Sequence, residues 1–381
     1  MFSSRLNWDL RPNRLSALLE EKLRAGTQFL DLTESNPTRV GLSYPADDIL
    51  NALADPRVMR YDPAPRGLAI AREAVSQYYA RRFKDVPPSR ILMTASTSEA
   101  YGYLFKLLTD PGDEILAPRP SYPLFEFLAA LESVKILQYP LRYDGAWRID
   151  FEMLERSITS KTRAVVVVSP NIPTGSSVKK DEFERLQSLG IPIIVDEVFS
   201  DYAFFETKPI HPQTLTFSLN GLSKIGGLPQ IKAGWIAADG PGHEDALNCL
   251  ELIADTYLSV STPSQIALPK LLDAADSVRA QIVIRTAENL RHLCSASANS
   301  AMQVLNRESG WCAILQVPRT MTEEERVLSL LADHDVLVQP GFYFDFESEA
   351  FLVLSLLTPP EIFAEGLRRL LTADIDSTPG G

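Results

Sequence analysis

Residues 164–170 read AVVVVSP, with four valines in succession. A strand with one wet face alternates apolar and polar side chains, so an unbroken β-branched run demands cover on both faces. The same texture recurs in ILMTAS (91–96), DEILAP (113–118), VKILQYP (134–140), PIIVDEV (192–198), LTFSLNG (215–221) and AGWIAAD (233–239). Helical patterns lie between some of these runs. TSEAYGYLFKLLTD (97–110) opens with Thr97 or Ser98 as N-cap, and KDEFERLQSLG (180–190) ends on Gly190. Strands alternating with helices predict an α/β fold built on a mostly parallel seven-stranded sheet, with ligands gathered at the carboxyl ends of the strands. From about residue 265 the texture changes. A long helical region (264–297) is followed by GWCAILQVP, TEEERVLSLLADH, VLVQPGFYF, FLVLSLL and EIFAEGLRRLL. The expected division is a large α/β domain over 46–263 and a smaller α+β domain formed by 1–45 and 264–381, with a frayed tail in DSTPGG.

Composition narrows the chemistry. The net charge of -12 argues against nucleic acid or an anionic membrane as main partner, because phosphate binding needs clustered Lys and Arg. No run of 18 apolar residues is present, so no membrane span is expected, and the N-terminal stretch lacks the apolar core of a signal peptide. The three cysteines (Cys249, Cys294, Cys312) make no CxxC pair, which fits reduced thiols and a cytoplasmic location. The four histidines (His211, His243, His292, His334) are scattered, so no metal site is expected.

Four features fall at strand ends. STSEA (96–100) places hydroxyls at a helix start, where free N–H groups suit a phosphate. NIPTG (171–175) is a rigid loop after the valine strand. Asp196 closes the apolar run PIIVD. Lys224 follows LTFSLNG within GLSKIGGLPQIKAGW (221–235), a segment apolar enough to read as partly buried, where a lysine is costly unless something uses it. An anion site, a carboxylate and a lysine on one crevice suit a cofactor with a phosphate, a cationic ring nitrogen and a carbonyl. Pyridoxal 5′-phosphate has all three.

SNPT (35–38), YDPAPRG (61–67), PGDEI (111–115), PSYP (120–123), PNIPTG (170–175), DEVFSDY (196–202), LSKIGGLPQIKAGW (222–235), STPSQ (261–265) and QPGFYF (339–344) stand in the order of their counterparts in one family. By these motifs the chain resembles the class I/II aminotransferases, of the fold type I pyridoxal-phosphate-dependent superfamily, over nearly its whole length. The resemblance implies a homodimer with shared active sites that moves an amino group between an amino acid and a 2-oxo acid. It makes Lys224 the Schiff-base lysine and proton shuttle, Asp196 the partner of the pyridine nitrogen and Tyr122 the residue stacked on the ring. Ser96, Thr97, Ser98, Ser223 and Lys232 would take the phosphate, joined by Tyr61 from the neighbouring subunit.

Four positions depart from the family pattern. The asparagine before PTG is Ile172, with Asn171 one place early and still expected at the cofactor. The tyrosine three residues after the aspartate is Phe199. The phosphate arginine is Lys232, which keeps the charge and loses the bidentate fork. The arginine that clamps the substrate carboxylate aligns with Val353, leaving Arg39, Arg66 and the nearby Asn36 as candidate substrate contacts. These departures keep two further readings open: another reaction of the same cofactor, of lyase or racemase type, on an amino acid or amine, and a cofactor-binding protein with little catalysis.

Overall fold

The computed structural model describes residues 2–6, 8–82, 84–203 and 212–376; His211 and the tail beyond residue 376 lie outside them. All seven expected strands form, at Ile91–Thr94, Glu114–Arg119, Lys135–Tyr143, Thr162–Val168, Ile193–Asp196, Thr216–Gly221 and Gly234–Asp239. An eighth, Trp147–Ile149, folds back antiparallel on Lys135–Tyr143. Its signal was Asp144-Gly145, a dipeptide typical of hairpin turns, and Gly145 has φ 104°. The strand itself is too short to show a period.

From one edge the sheet runs 91–94, 234–239, 216–221, 193–196, 162–168, 114–119, 135–143, 147–149. The five strands from 216–221 to 135–143 are mutually parallel; 234–239 runs against both of its neighbours. The valine run is covered on both sides as its sequence requires. Val166 and Val168 join Tyr101, Leu104 and Phe105 of helix Thr97–Leu108 and Leu247 and Leu250 of helix His243–Tyr257. Val165 and Val167 meet Leu154, Phe183 and Leu186 on the other face. Each such side chain contributes roughly 1.5–3 kcal/mol by leaving water, enough to outweigh modest helix propensities nearby.

A second, antiparallel sheet orders Gln303–Val304, Cys312–Gln316, Phe351–Ser355 and Gln339–Pro340. Leu352 and Leu354 on one face pack with helices Glu323–His334 and Pro360–Asp376. Cys312, Ile314 and Val353 on the other face pack with Trp147, Leu305 and Phe344. The N-terminal segment joins this layer, since Leu30–Asp31 pairs parallel with Val336–Leu337. Helix Thr262–Ser297, about 54 Å long at 1.5 Å per residue, connects the two layers. Its Leu268 and Leu271 sit in the core against Trp235, while Leu293 sits in the core against Leu352. A loop contact ties the layers again at Gly175, which has φ 66°; a β-carbon there would collide with the Ser309 carbonyl oxygen. Among the described residues no helix is long and apolar enough to cross a membrane.

Candidate active site

Register brings the lysine and the aspartate together. Asp196 ends its strand paired with Leu219 of Thr216–Gly221, and that neighbour runs straight into the short helix Leu222–Ile225 that carries Lys224. Asp196 is 8% exposed. Its Oδ1 accepts the Val198 N–H at 3.1 Å and its Oδ2 accepts the Tyr101 hydroxyl at 3.0 Å. Burial pushes the carboxyl up to about 6, even though these two donors and the Lys224 charge pull it down. Burial lowers the Lys224 ammonium, against the opposing influence of Cys312 and Asp196, and so favours the free amine.

The wall beside the lysine is aromatic. Lys224 Nζ lies 4.9 Å from the centre of the Trp311 ring and 5.5 Å from that of Phe199. Those rings meet edge-on at 5.3 Å and share a cluster with Val40, Tyr202 and Leu357. The Tyr202 hydroxyl donates to the Lys224 carbonyl oxygen at 2.5 Å, which pins the backbone of the short helix. Tyr122 faces the same carboxylate: burial first, and then the Asp196 charge, raise its phenol. Ser96 caps helix Thr97–Leu108, its Oγ accepting the Glu99 N–H at 3.1 Å. The turn lies close to the lysine strand, because a β-carbon on Gly234 would stand 3.2 Å from both the Ser96 backbone and the Asn220 carbonyl oxygen. Lys224 and Tyr122 thus lie within electrostatic reach of Asp196 and the 96–98 turn lies close by at the same strand ends, with Ser223 partly buried next to the lysine in sequence.

Other expected residues are placed differently. Asn171 is buried, its amide donating to the Pro120 carbonyl at 3.0 Å and the Thr174 hydroxyl at 2.9 Å while its Oδ1 accepts from Ser121. Both of its N–H bonds are committed to bracing the loops around Tyr122, which leaves it no donor for a ligand. Arg66 is turned away, donating to Glu251 at 2.6 Å and Asn248 at 2.8 Å on helix His243–Tyr257. The Asn36 side chain closes its own turn by accepting from Thr38, and Arg39 is exposed beside the buried Val40. Lys232 is exposed, with a left-handed φ of 55°. Tyr61 is 73% exposed. Ile172 and Phe199 present only hydrocarbon, and Val353 is 1% exposed within an apolar cluster that has no place for a carboxylate.

Two neighbours escaped the sequence reading. Trp311 comes from the second layer, and only long-range contact brings it to Lys224. Tyr101 sits one turn past the phosphate-type helix start, at a spacing that could have marked it as facing the sheet.

The crevice suits pyridoxal phosphate. A buried carboxylate short of compensating charge fits a cationic ring nitrogen, a desolvated lysine fits an aldehyde, and a capped helix start fits a phosphate. Residues 27–370 match the family model for aminotransferase class I and II. A glutamate-pyruvate aminotransferase of Escherichia coli is 29% identical over 273 residues, 68% of this chain and 66% of that protein. The match thus spans just under two thirds of that relative's length. An LL-diaminopimelate aminotransferase of Dehalococcoides mccartyi is 24% identical over 94% of each chain. An S-alkyl-thiohydroximate lyase of Arabidopsis thaliana is 31% identical over 247 residues, 60% of this chain and 53% of that protein. Among solved structures, an alanine aminotransferase from Pyrococcus furiosus shares the fold with a TM-score of 0.88, at 23% identity over 99% of this chain and 100% of that one.

The buried carboxylate has a consequence for stability. Asp196 holds its proton more tightly folded, at about 6, than at its ordinary value of 3.8. Its contribution to stability is therefore present below about pH 4 and lost as the pH climbs through 6. In cofactor-free protein, Asp196→Asn is expected to gain about 2–3 kcal/mol on wild type between pH 4 and 7, at 1.36 kcal/mol per unit. Urea unfolding at the two pH values measures this, and parallel pH dependences would refute it.

Proposed function

The chain belongs to the class I and II aminotransferases, and from this membership we propose that it is a pyridoxal-phosphate-dependent enzyme moving an amino group between an amino acid and a 2-oxo acid. The observation that carries the reading is the Asp196–Lys224 pair, two groups whose burial is a cost unless a cofactor uses both. Pyridoxal phosphate, when bound, supplies a carbonyl for the amino group and a protonated ring that draws electrons from the substrate α-carbon. Asp196 would keep the proton on the ring nitrogen. Lys224, whose ammonium is disfavoured by its burial, would hold the cofactor through its carbonyl carbon and, once displaced by the substrate amine, would take the α-carbon proton at Nζ and return it to that same cofactor carbon. Trp311 and Phe199 keep water from that amine and add a weak attraction whenever it is charged. Tyr122 would cover the ring. The N–H groups of the 96–98 turn would hold the phosphate, with Ser223 and the exposed Lys232 as further contacts. Residues 46–263 would form the cofactor domain, and 1–45 with 264–381 the smaller one.

Exposed apolar side chains support a homodimer with shared sites. Met59 (88%), Tyr61 (73%) and Leu252 (72%) leave large apolar side chains in water, and a Tyr61 this exposed is available to a neighbouring subunit. Sedimentation equilibrium should give twice the mass of one chain; a monomer at micromolar concentration would contradict the dimer. The free Cys249, Cys294 and Cys312 suit a reducing compartment.

Val353 favours one alternative: a lyase-type reaction on an amine or amino acid held without the usual arginine, the kind of activity named for the Arabidopsis relative. A donor panel separates the two. For an aminotransferase, one amino acid bleaches the yellow cofactor band and a 2-oxo acid restores it. A donor that is consumed without bleaching the band would establish the lyase reading instead.

A further inference from the structure

Asp196 is received by one donor on each oxygen, the Val198 amide on Oδ1 and the Tyr101 hydroxyl on Oδ2. The charged and titratable groups that face it are Glu197, Lys224, Tyr101 and Tyr122. Tyr101 is 2% exposed, and its ring is wedged between Phe105, at 5.9 Å, and Phe125, at 5.3 Å edge-on. The hydroxyl therefore has no freedom to swing off the carboxylate. Burial raises this phenol well above its ordinary value, with the Asp196 charge adding to the rise, so it remains a protonated donor at any working pH. The same side chain belongs to helix Thr97–Leu108, whose start is the candidate phosphate turn. Its neighbour Phe125 meets Tyr122 at 6.1 Å. One rigid helix thus links the phosphate end of the crevice to the carboxylate, and one aromatic contact links both to the ring-stacking residue.

We propose that Tyr101 is a positioning residue for the reaction, its hydroxyl holding Asp196 ionised and aimed so that the shared proton stays on the cofactor's ring nitrogen. This rests on the placement of that nitrogen at Asp196. The physics is a competition for one proton. A hydrogen bond donated to a carboxylate favours its charged form and makes it a weaker base. With the Tyr101 donor removed, the Val198 amide is the one that remains among the described residues. The carboxylate then takes a larger share of the proton, and the ring loses pull on the electrons of the α-carbon. A positioned donor to a buried charge is comparable to about one pK unit. Nothing in the sequence pattern of a helix start requires a tyrosine at that place; a phenylalanine would fill nearly the same volume without donating to the carboxylate.

The test compares the wild-type enzyme, Tyr101→Phe and Tyr139→Phe, each loaded with pyridoxal phosphate labelled with nitrogen-15 in the ring. Tyr139→Phe is the control. It deletes another fully buried hydroxyl, one that donates to the Val166 carbonyl at 2.9 Å, and leaves Asp196 alone. Throughout the pH range in which the pair holds its one proton, the ring-nitrogen resonance of Tyr101→Phe should lie nearer the neutral-pyridine position than that of wild type, and the pair should lose that proton at no lower pH, with kcat down about tenfold and KM within about twofold. Tyr139→Phe should titrate as wild type. The inference is overturned if the Tyr101→Phe resonance coincides with that of wild type, or if Tyr139→Phe moves the resonance as far, which would make both effects a loosening of the core. A wild-type ring nitrogen that is neutral across the whole range would overturn the Asp196 reading itself, and this inference with it.

Discussion

A buried carboxylate and a partly buried lysine at neighbouring strand ends impose the main constraint on this molecule. Removing either charge from water costs several kcal/mol, and their mutual attraction returns only part of it. Two adjacent parallel strands meet that cost by ending at the same edge, so that Asp196 and Lys224 emerge side by side with their backbones already fixed in the sheet. The apolar runs behind them are what make this possible. Covered on both faces, they allow the strand ends no freedom, and the groups they present are preorganised before any ligand arrives.

The second layer acts on this crevice through apolar contact. Trp311, at the start of the Cys312–Gln316 strand, closes over Lys224, while Cys312, Ile314 and Val353 turn a hydrocarbon face toward Ile172 and Trp147. Helix Thr262–Ser297 holds the layers at a set separation because its ends are buried in different cores. At Ile172, Phe199 and Val353 this packing presents hydrocarbon only, and the aromatic rings beside Lys224 add to the desolvation of its amine.

Legibility in the sequence followed the range of the forces involved. Strand texture is local, so all seven runs, and the lysine and aspartate at their ends, could be read directly. The Trp147–Ile149 strand is three residues long and showed only its turn. Asn171 was legible as a loop residue, but its commitment to Pro120, Ser121 and Thr174 depends on a loop some 50 residues away. Arg66 was a candidate for a substrate until Glu251, far along the chain, claimed it. Tyr101 and Trp311 matter through partners 95 and about 90 residues distant in sequence, a separation at which composition and period carry no signal.

The claim at the centre is that the pair at these strand ends exists to hold one cofactor, with Lys224 as its covalent anchor. Borohydride reduction of the protein loaded with pyridoxal phosphate, followed by digestion and mass mapping, tests this most directly. The account predicts a single phosphopyridoxyl label on the peptide containing Lys224, abolished in Lys224→Ala. A label on Lys232 or on scattered surface lysines, or a Lys224 peptide that stays unmodified under saturating cofactor, would contradict it.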